Sequence, residues 1–162
     1  MSQVKKIPDG YHSITPYLIV KNGSEAIEYY KKIFGAKEHG RMMTPDGKRI
    51  AHAEIEIGNS KLMLADEFPE MNSLSPKTIG GSPVGLFLYV DDVDKVFSQA
   101  VTEGAKVLMG VEDQFWGDRY GSIEDPFGHI WSISTHFKDL TEEELKKAAE
   151  ESFAKMPENK PN

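Results

Sequence analysis

Hydrophobic positions along this chain switch between a period of two and a period near 3.6, and the switches predict its elements. Ile14 to Val20 is a short β-like run. Asn22-Gly23-Ser24 then supplies a turn and a helix N-cap, and Ala26, Ile27, Tyr30, Ile33 and Phe34 recur at helical spacing until Gly35 ends the helix. Ala36 opens the next strand. From Arg49 to Gly58 the alternation is clean: Ala51, Ala53, Ile55 and Ile57 share one face, and Ile50, His52, Glu54 and Glu56 share the other. A further strand runs from Lys61 to Ala65. The order is strand, helix, strand, strand, strand.

The second half repeats it. Leu86 to Val90 is a strand, Asp91-Asp92 a turn and cap, and Val93, Val96, Phe97, Ala100 and Val101 a helical stripe ended by Gly104. Val20 and Val90 lie 70 positions apart, Gly35 and Gly104 69, and Gly58 and Gly128 70, the constant offset of a duplicated unit. Two strands complete the repeat across Asp125-Pro126-Phe127-Gly128, where Pro126 presets φ for a turn and Gly128 accepts the positive φ that follows. The expected organisation is one module over residues 1–66, a Pro-, Ser- and Gly-rich linker over 67–83, a second module over 84–136, and a C-terminal helix and tail over 137–162. Thr141 with Glu144 forms a capping box, and Leu145, Ala148, Ala149 and Phe153 make an apolar stripe that needs cover from the domain or a second subunit. The residues after Met156 are polar, with two prolines, and are expected to fray.

At 162 residues the chain is long enough to bury a sizeable core without metal or disulfide. Its 19 basic and 26 acidic residues give a net charge of −7, which argues against nucleic acid and anionic membrane surfaces and leaves small molecules or proteins as partners. The absence of cysteine excludes disulfides, thiolate zinc sites and a Cys nucleophile. With no apolar leader or span, a soluble cytoplasmic protein is expected.

The opening ITPYLIV, the helix EAIEYYKKIFGA, the strand HAEIEIG with LMLADEFPE after it, and VEDQFWGDRYGSIEDPFGHIWSISTH together resemble the PhnB-like branch of the vicinal oxygen chelate superfamily, which contains glyoxalase I, extradiol dioxygenases and the fosfomycin- and bleomycin-resistance proteins. The resemblance implies an α+β fold of two tandem βαβββ modules. Each would curl its strands into a half-barrel with the helix outside and a ligand cavity on the concave side, in a homodimer. It also implies a divalent metal held by His, Gln or Glu on the first and last strands of each module. The family's pattern puts Thr15, Met63, Gly85 and Ser132 at those places, and none is a good ligand. A divalent cofactor is therefore disfavoured.

Other residues remain candidates for a site. His52 and Glu54, two apart on one strand, point to one face and suit acid–base work or weak metal ligation. Arg119 suits a bidentate clamp on a carboxylate or phosphate, with Trp116 and Tyr120 as flat walls; the alternative is an ion pair to Asp118 or Glu124 and a Trp that fills core. Glu112, Asp113 and Gln114 would rim such a pocket, while His12 and His129 are surface or turn residues, Asp66 is a turn or cap residue, and His136 carries no specific signal. Two functional classes compete: a metal-free binder of a small organic ligand through His52, Glu54, Trp116, Arg119 and Tyr120, and a metal-dependent lyase, isomerase, transferase or dioxygenase with an atypical ligand set such as His52 with Glu54 or Glu56.

Overall fold

A computed structural model of the chain describes residues 4–155. Strands β1 (Tyr17–Val20), β2 (Lys37–Met43), β3 (Ile50–Ile57) and β4 (Ser60–Asp66) form one sheet in the order β1-β4-β3-β2. β5 (Gly85–Tyr89), β6 (Lys106–Asp113), β7 (Asp118–Glu124) and β8 (Ile130–His136) form the second, in the order β5-β8-β7-β6. Each sheet is mixed, because its first strand runs parallel to its last and the other pairings are antiparallel. Helix α1 (Gly23–Phe34) covers one sheet and α3 (Val93–Thr102) the other, so both modules have the expected βαβββ order. The linker folds as a 3₁₀ turn, Pro69–Met71, and a single-turn helix α2 (Pro76–Ile79). Glu67 holds that segment by accepting from the Ser75 and Thr78 hydroxyls and the Ser75 N–H.

The caps follow the sequence signals. Asn22 accepts from the Glu25 N–H, and Gly35 closes α1 in the left-handed region at φ 63°. Asp66, nearly buried on β4, accepts from the Gly23 N–H at 2.7 Å and the Ile50 N–H at 2.6 Å, tying the start of α1 to β3. Helix α4 (Glu142–Phe153) begins with the predicted Thr141–Glu144 capping box, but none of its residues is buried and Leu145 and Phe153 stay exposed.

Two local departures have identifiable causes. The first strand begins at Tyr17 rather than Ile14, which is 88% exposed, because Pro16 has no N–H to give to the ladder and contributes only its carbonyl, to Met63. Ile50, assigned by alternation to the polar face, is fully buried. The pairings Met42 with His52 and Met43 with Ile50 leave Ala51 as an extra residue, a bulge that turns Ile50 inward.

One core joins the modules. The helix-facing residues Leu18, Val20, Ala53, Ile55, Leu62 and Leu64 of the first sheet and Ile123, Trp131 and Ile133 of the second all belong to it. Tyr29 and Tyr30 of α1 meet Phe127 and Trp131 across the module boundary, with ring centroids 5.5–6.1 Å apart. Packing over β7 is tight enough to demand glycine. A Cβ on Gly121 would stand 2.7 Å from Phe97 of α3 and 2.9 Å from Val111. Gly121→Ala is expected to cost about 1–3 kcal/mol by overpacking, read as a lower urea midpoint at unchanged slope.

Candidate functional site

Alternation along the strands turns apolar side chains toward the helices and leaves each sheet a second, open face. On the first sheet this face carries Tyr17 of β1, His52, Glu54 and Glu56 of β3, and Lys61 and Met63 of β4. The Tyr17 hydroxyl lies 3.1 Å from His52 Nδ1, with the rings edge to face. His52 Nε2 stands 3.7 Å from Glu54 Oε1, a contact too long for a hydrogen bond. Glu56 turns instead to His39 Nε2, at 2.9 Å. The phenol of Tyr11 comes down beside Glu54 with its hydroxyl buried but short of hydrogen-bond geometry. Burial, then the Glu54 carboxylate, pushes that phenol up to about 12, while Tyr11 and His52 hold the Glu54 carboxyl below its usual range. Lys61 lays its ammonium over the Tyr11 ring, 4.6 Å from the centroid.

The open face of the second sheet is aromatic. Tyr89 and Phe87 of β5, Tyr120 of β7 and Trp116 of the β6–β7 turn form a continuous row with centroid spacings of 5.0, 5.8 and 5.7 Å. Phe87 is 52% exposed and Tyr89 62%. Hydroxyls back the row: Tyr120 and Ser132 share a hydrogen bond of 2.9 Å. Beneath it Asp118, only 2% exposed, accepts from Trp116 Nε1 at 3.1 Å, Tyr89 Oη at 3.3 Å and Ser134 Oγ at 3.3 Å, and pairs with His136 Nδ1 at 2.6 Å. His136 reaches Asp139 through its other nitrogen at 3.0 Å. These two carboxylates, Asp118 first, raise the imidazole's pKa. No sequence signal marked His136, although the turn register that pairs Glu124 with Ile130 also pairs Asp118 with His136.

The structure does not gather the expected ligand residues into one place. His52 and Glu54 lie on the first sheet, Trp116 and Tyr120 on the second. Arg119 points to the opposite face of β7 from Tyr120, where Asp94 at the start of α3 grips it with bonds of 2.7 and 2.8 Å and Asp113 adds one of 2.9 Å. Its ion pairs are therefore with Asp94 and Asp113, rather than Asp118 or Glu124, and strengthen its hold on its proton. His129 is buried and bonded to the Ile19 carbonyl, a structural tie. His12 and Thr15 instead line a cleft of about 390 Å³ between the modules, running from the N-terminal segment and the β3–β4 turn to β5. Ile57, Leu62, Leu86 and Trp131 give it apolar walls, and Phe87 and Tyr89 belong both to it and to the aromatic row.

The donors do not fit the divalent ion that the superfamily resemblance implies. Thr15, Met63, Gly85 and Ser132 offer two hydroxyls, a thioether and a bare backbone. Among the described residues no three His, Cys, Asp or Glu side chains come together to hold a metal. His52 and Glu54 remain a two-donor fragment.

Comparison with known proteins agrees with the topology. The family profile of the Glyoxalase/Bleomycin resistance protein/Dioxygenase superfamily matches residues 10–133. An uncharacterized protein of Mycobacterium bovis is 42% identical over 139 residues, covering 84% of this chain and 91% of its own. Protein PA1353 from Pseudomonas aeruginosa superposes with a TM-score of 0.63 at 25% identity, covering 77% of this chain and 98% of that one. The PhnB protein from Bacillus cereus shares the fold, with a TM-score of 0.60 at 16% identity over 76% of this chain and 99% of that one.

Proposed function

From the premise that the chain belongs to the Glyoxalase/Bleomycin resistance protein/Dioxygenase superfamily, we propose that it binds a small organic ligand between its βαβββ modules, as a homodimer and without a catalytic metal. One observation carries this reading: half-exposed Phe87 and Tyr89 stand at a cleft of about 390 Å³ and continue into Tyr120 and Trp116. A cleft of this size suits a drug-sized molecule, and aromatic side chains left half in water mark contact surfaces. Trp116 and Tyr120 serve as flat walls, the first locked by its indole N–H on Asp118 and the second by Ser132. His52 and Glu54, on the open face of the other module, are not among the residues that line the cleft. Arg119 takes no part, since both its edges are occupied on the far face. The poor donor set supports the metal-free part.

A second copy is the natural cover for other apolar side chains that a lone chain leaves in water, Met42, Met43 and Met109 among them. We place the protein in the cytoplasm; no helix among the described residues is long and apolar enough to cross a membrane.

Anilinonaphthalene sulfonate, a planar fluorescent probe, tests the reading. Phe87→Ala and Tyr89→Ala should each weaken its binding by roughly fivefold to tenfold, the worth of one aromatic contact, with the Phe87→Ala melting temperature unchanged. Equal affinity in both variants would remove the aromatic row from the site. Zinc, nickel, manganese or iron(II) should leave the melting curve where it is; one tightly held ion per chain with a clear rise in melting temperature would overturn the metal-free assignment.

A further inference from the structure

The charge of the cleft names its ligand more closely, and this step rests on the cleft being the binding site. The chain carries 26 acidic side chains against 19 basic ones, yet none of the fifteen residues lining the cleft is Asp or Glu. The lining holds one lysine, Lys61, and one histidine, His12; its remaining polar groups are neutral, including Thr15, Asn59 and Ser60. Another groove shows the contrast: Asp91, Asp92, Asp94 and Asp113 line it around Arg119.

Lys61 also makes no ion pair among the described residues. Its cross-strand partner Glu56 turns away to His39, and Glu54, although the Lys61 charge helps to hold its carboxyl below the usual range, stays outside ion-pair distance. Among the described residues no carboxylate comes within 4.0 Å of the Lys61 ammonium, which rests on the Tyr11 ring instead. A ring face steers a cation without neutralising it. The cleft thus combines one unpaired positive charge, neutral hydrogen-bonding groups at its mouth, and walls of Leu62, Leu86, Phe87 and Trp131.

We propose that this cleft takes an organic anion with a flat apolar body, of the aromatic carboxylate class, and that Lys61 anchors the anionic group. The apolar body lies against Leu86 and Phe87, and the negative charge is met by Lys61 without repulsion from any lining carboxylate. The anchor is a point charge at a partly exposed site, so its contribution falls with added salt.

Three matched probes decide the matter: naphthoate, naphthamide and naphthylmethylammonium, which share a body and differ in charge. Titration into the full chain, followed by calorimetry and by backbone amide signals of Leu86 to Tyr89, is expected to show naphthoate binding about tenfold tighter than naphthamide and the ammonium weakest. Lys61→Gln should erase the preference for naphthoate while keeping naphthamide affinity and the melting temperature, and Lys61→Arg should retain it. Equal binding of naphthoate and naphthamide would overturn the anion assignment and leave the cleft as a ligand site. Absence of binding by all three, with no shift at Leu86 to Tyr89, would overturn both.

Discussion

Asp125→Ala is expected to destabilise the protein by about 3–5 kcal/mol, among the largest losses available to a single substitution in this chain. Asp125 is 1% exposed at the start of the β7–β8 turn. Its carboxylate accepts from the N–H groups of Phe127 and His129, both at 2.9 Å, from Trp131 Nε1 at 2.9 Å and from the Tyr30 hydroxyl at 2.7 Å. The first two close the turn. The Trp131 bond ties the turn to β8 of its own module, and the Tyr30 bond reaches α1 of the first, so one side chain joins a local bend to the module boundary. Truncation strands four buried donors, each with a desolvation cost of about 1–3 kcal/mol in part relieved by water entering the gap. Asp125→Asn keeps the volume but sets an amide NH₂ among donors, and should recover only part of the loss. Tyr30→Phe removes one donor and should cost about 1–2 kcal/mol. Burial first, and the Asp125 charge second, hold the Tyr30 phenol well above its usual range, so it stays a donor at every working pH. Urea unfolding of Asp125→Ala, Tyr30→Phe and the double variant measures this: the double variant should lose clearly less than the two single losses added together. Strict additivity would show that the Tyr30–Asp125 bond contributes nothing.

Much of this arrangement is legible in the sequence because it rests on local chemistry. The offset of 69–70 positions between Val20 and Val90 or Gly35 and Gly104 announces the duplication, and the two modules have the same strand order. Asp125-Pro126-Phe127-Gly128 announces its turn, and Gly128 indeed sits at φ 93°. Failures appear where one residue shifts a face or where distant segments meet. Ala51 is an ordinary strand residue, and only pairing with Met42 and Met43 makes it a bulge that sends Ile50 inward. Arg119 and Tyr120 are neighbours in sequence, so in a strand they point apart; reading both into one cavity ignored the period of two. The cleft is still less accessible to sequence reasoning. It exists because residues 12–16 pass near β5 and the β3–β4 turn, a tertiary fact with no local motif, and it brings Lys61 and Phe87 to one cleft from opposite halves of the chain.

The second large effect concerns Asp118, whose carboxylate holds the aromatic row from below. Asp118→Ala should cost about 2–3 kcal/mol, less than at Asp125 because His136 is half exposed and water can reach it. The lost acceptor frees the Trp116 indole and the Tyr89 phenol, so affinity for a planar probe should fall with stability. The His136 pair adds a pH signature of definite sign. Asp118 and then Asp139 raise the imidazole's pKa in the folded protein, whereas in the unfolded chain it titrates near its ordinary value of about 6.5. The folded state thus binds more protons in the window between those two values. The stabilisation is fully present below about pH 6.5 and is lost as pH rises through the folded pKa. Unfolding free energies of the wild type should therefore decline as pH rises from about 6.5 through the raised folded-state value, and His136→Gln should flatten that decline while keeping a hydrogen-bond donor toward Asp118. Asp118→Ala should flatten it too, having removed the first of the two carboxylates. An unchanged decline in both variants would assign the pH dependence to other groups and reduce the His136 contact to a surface ion pair, leaving Asp118 to act only through its bonds to Trp116, Tyr89 and Ser134.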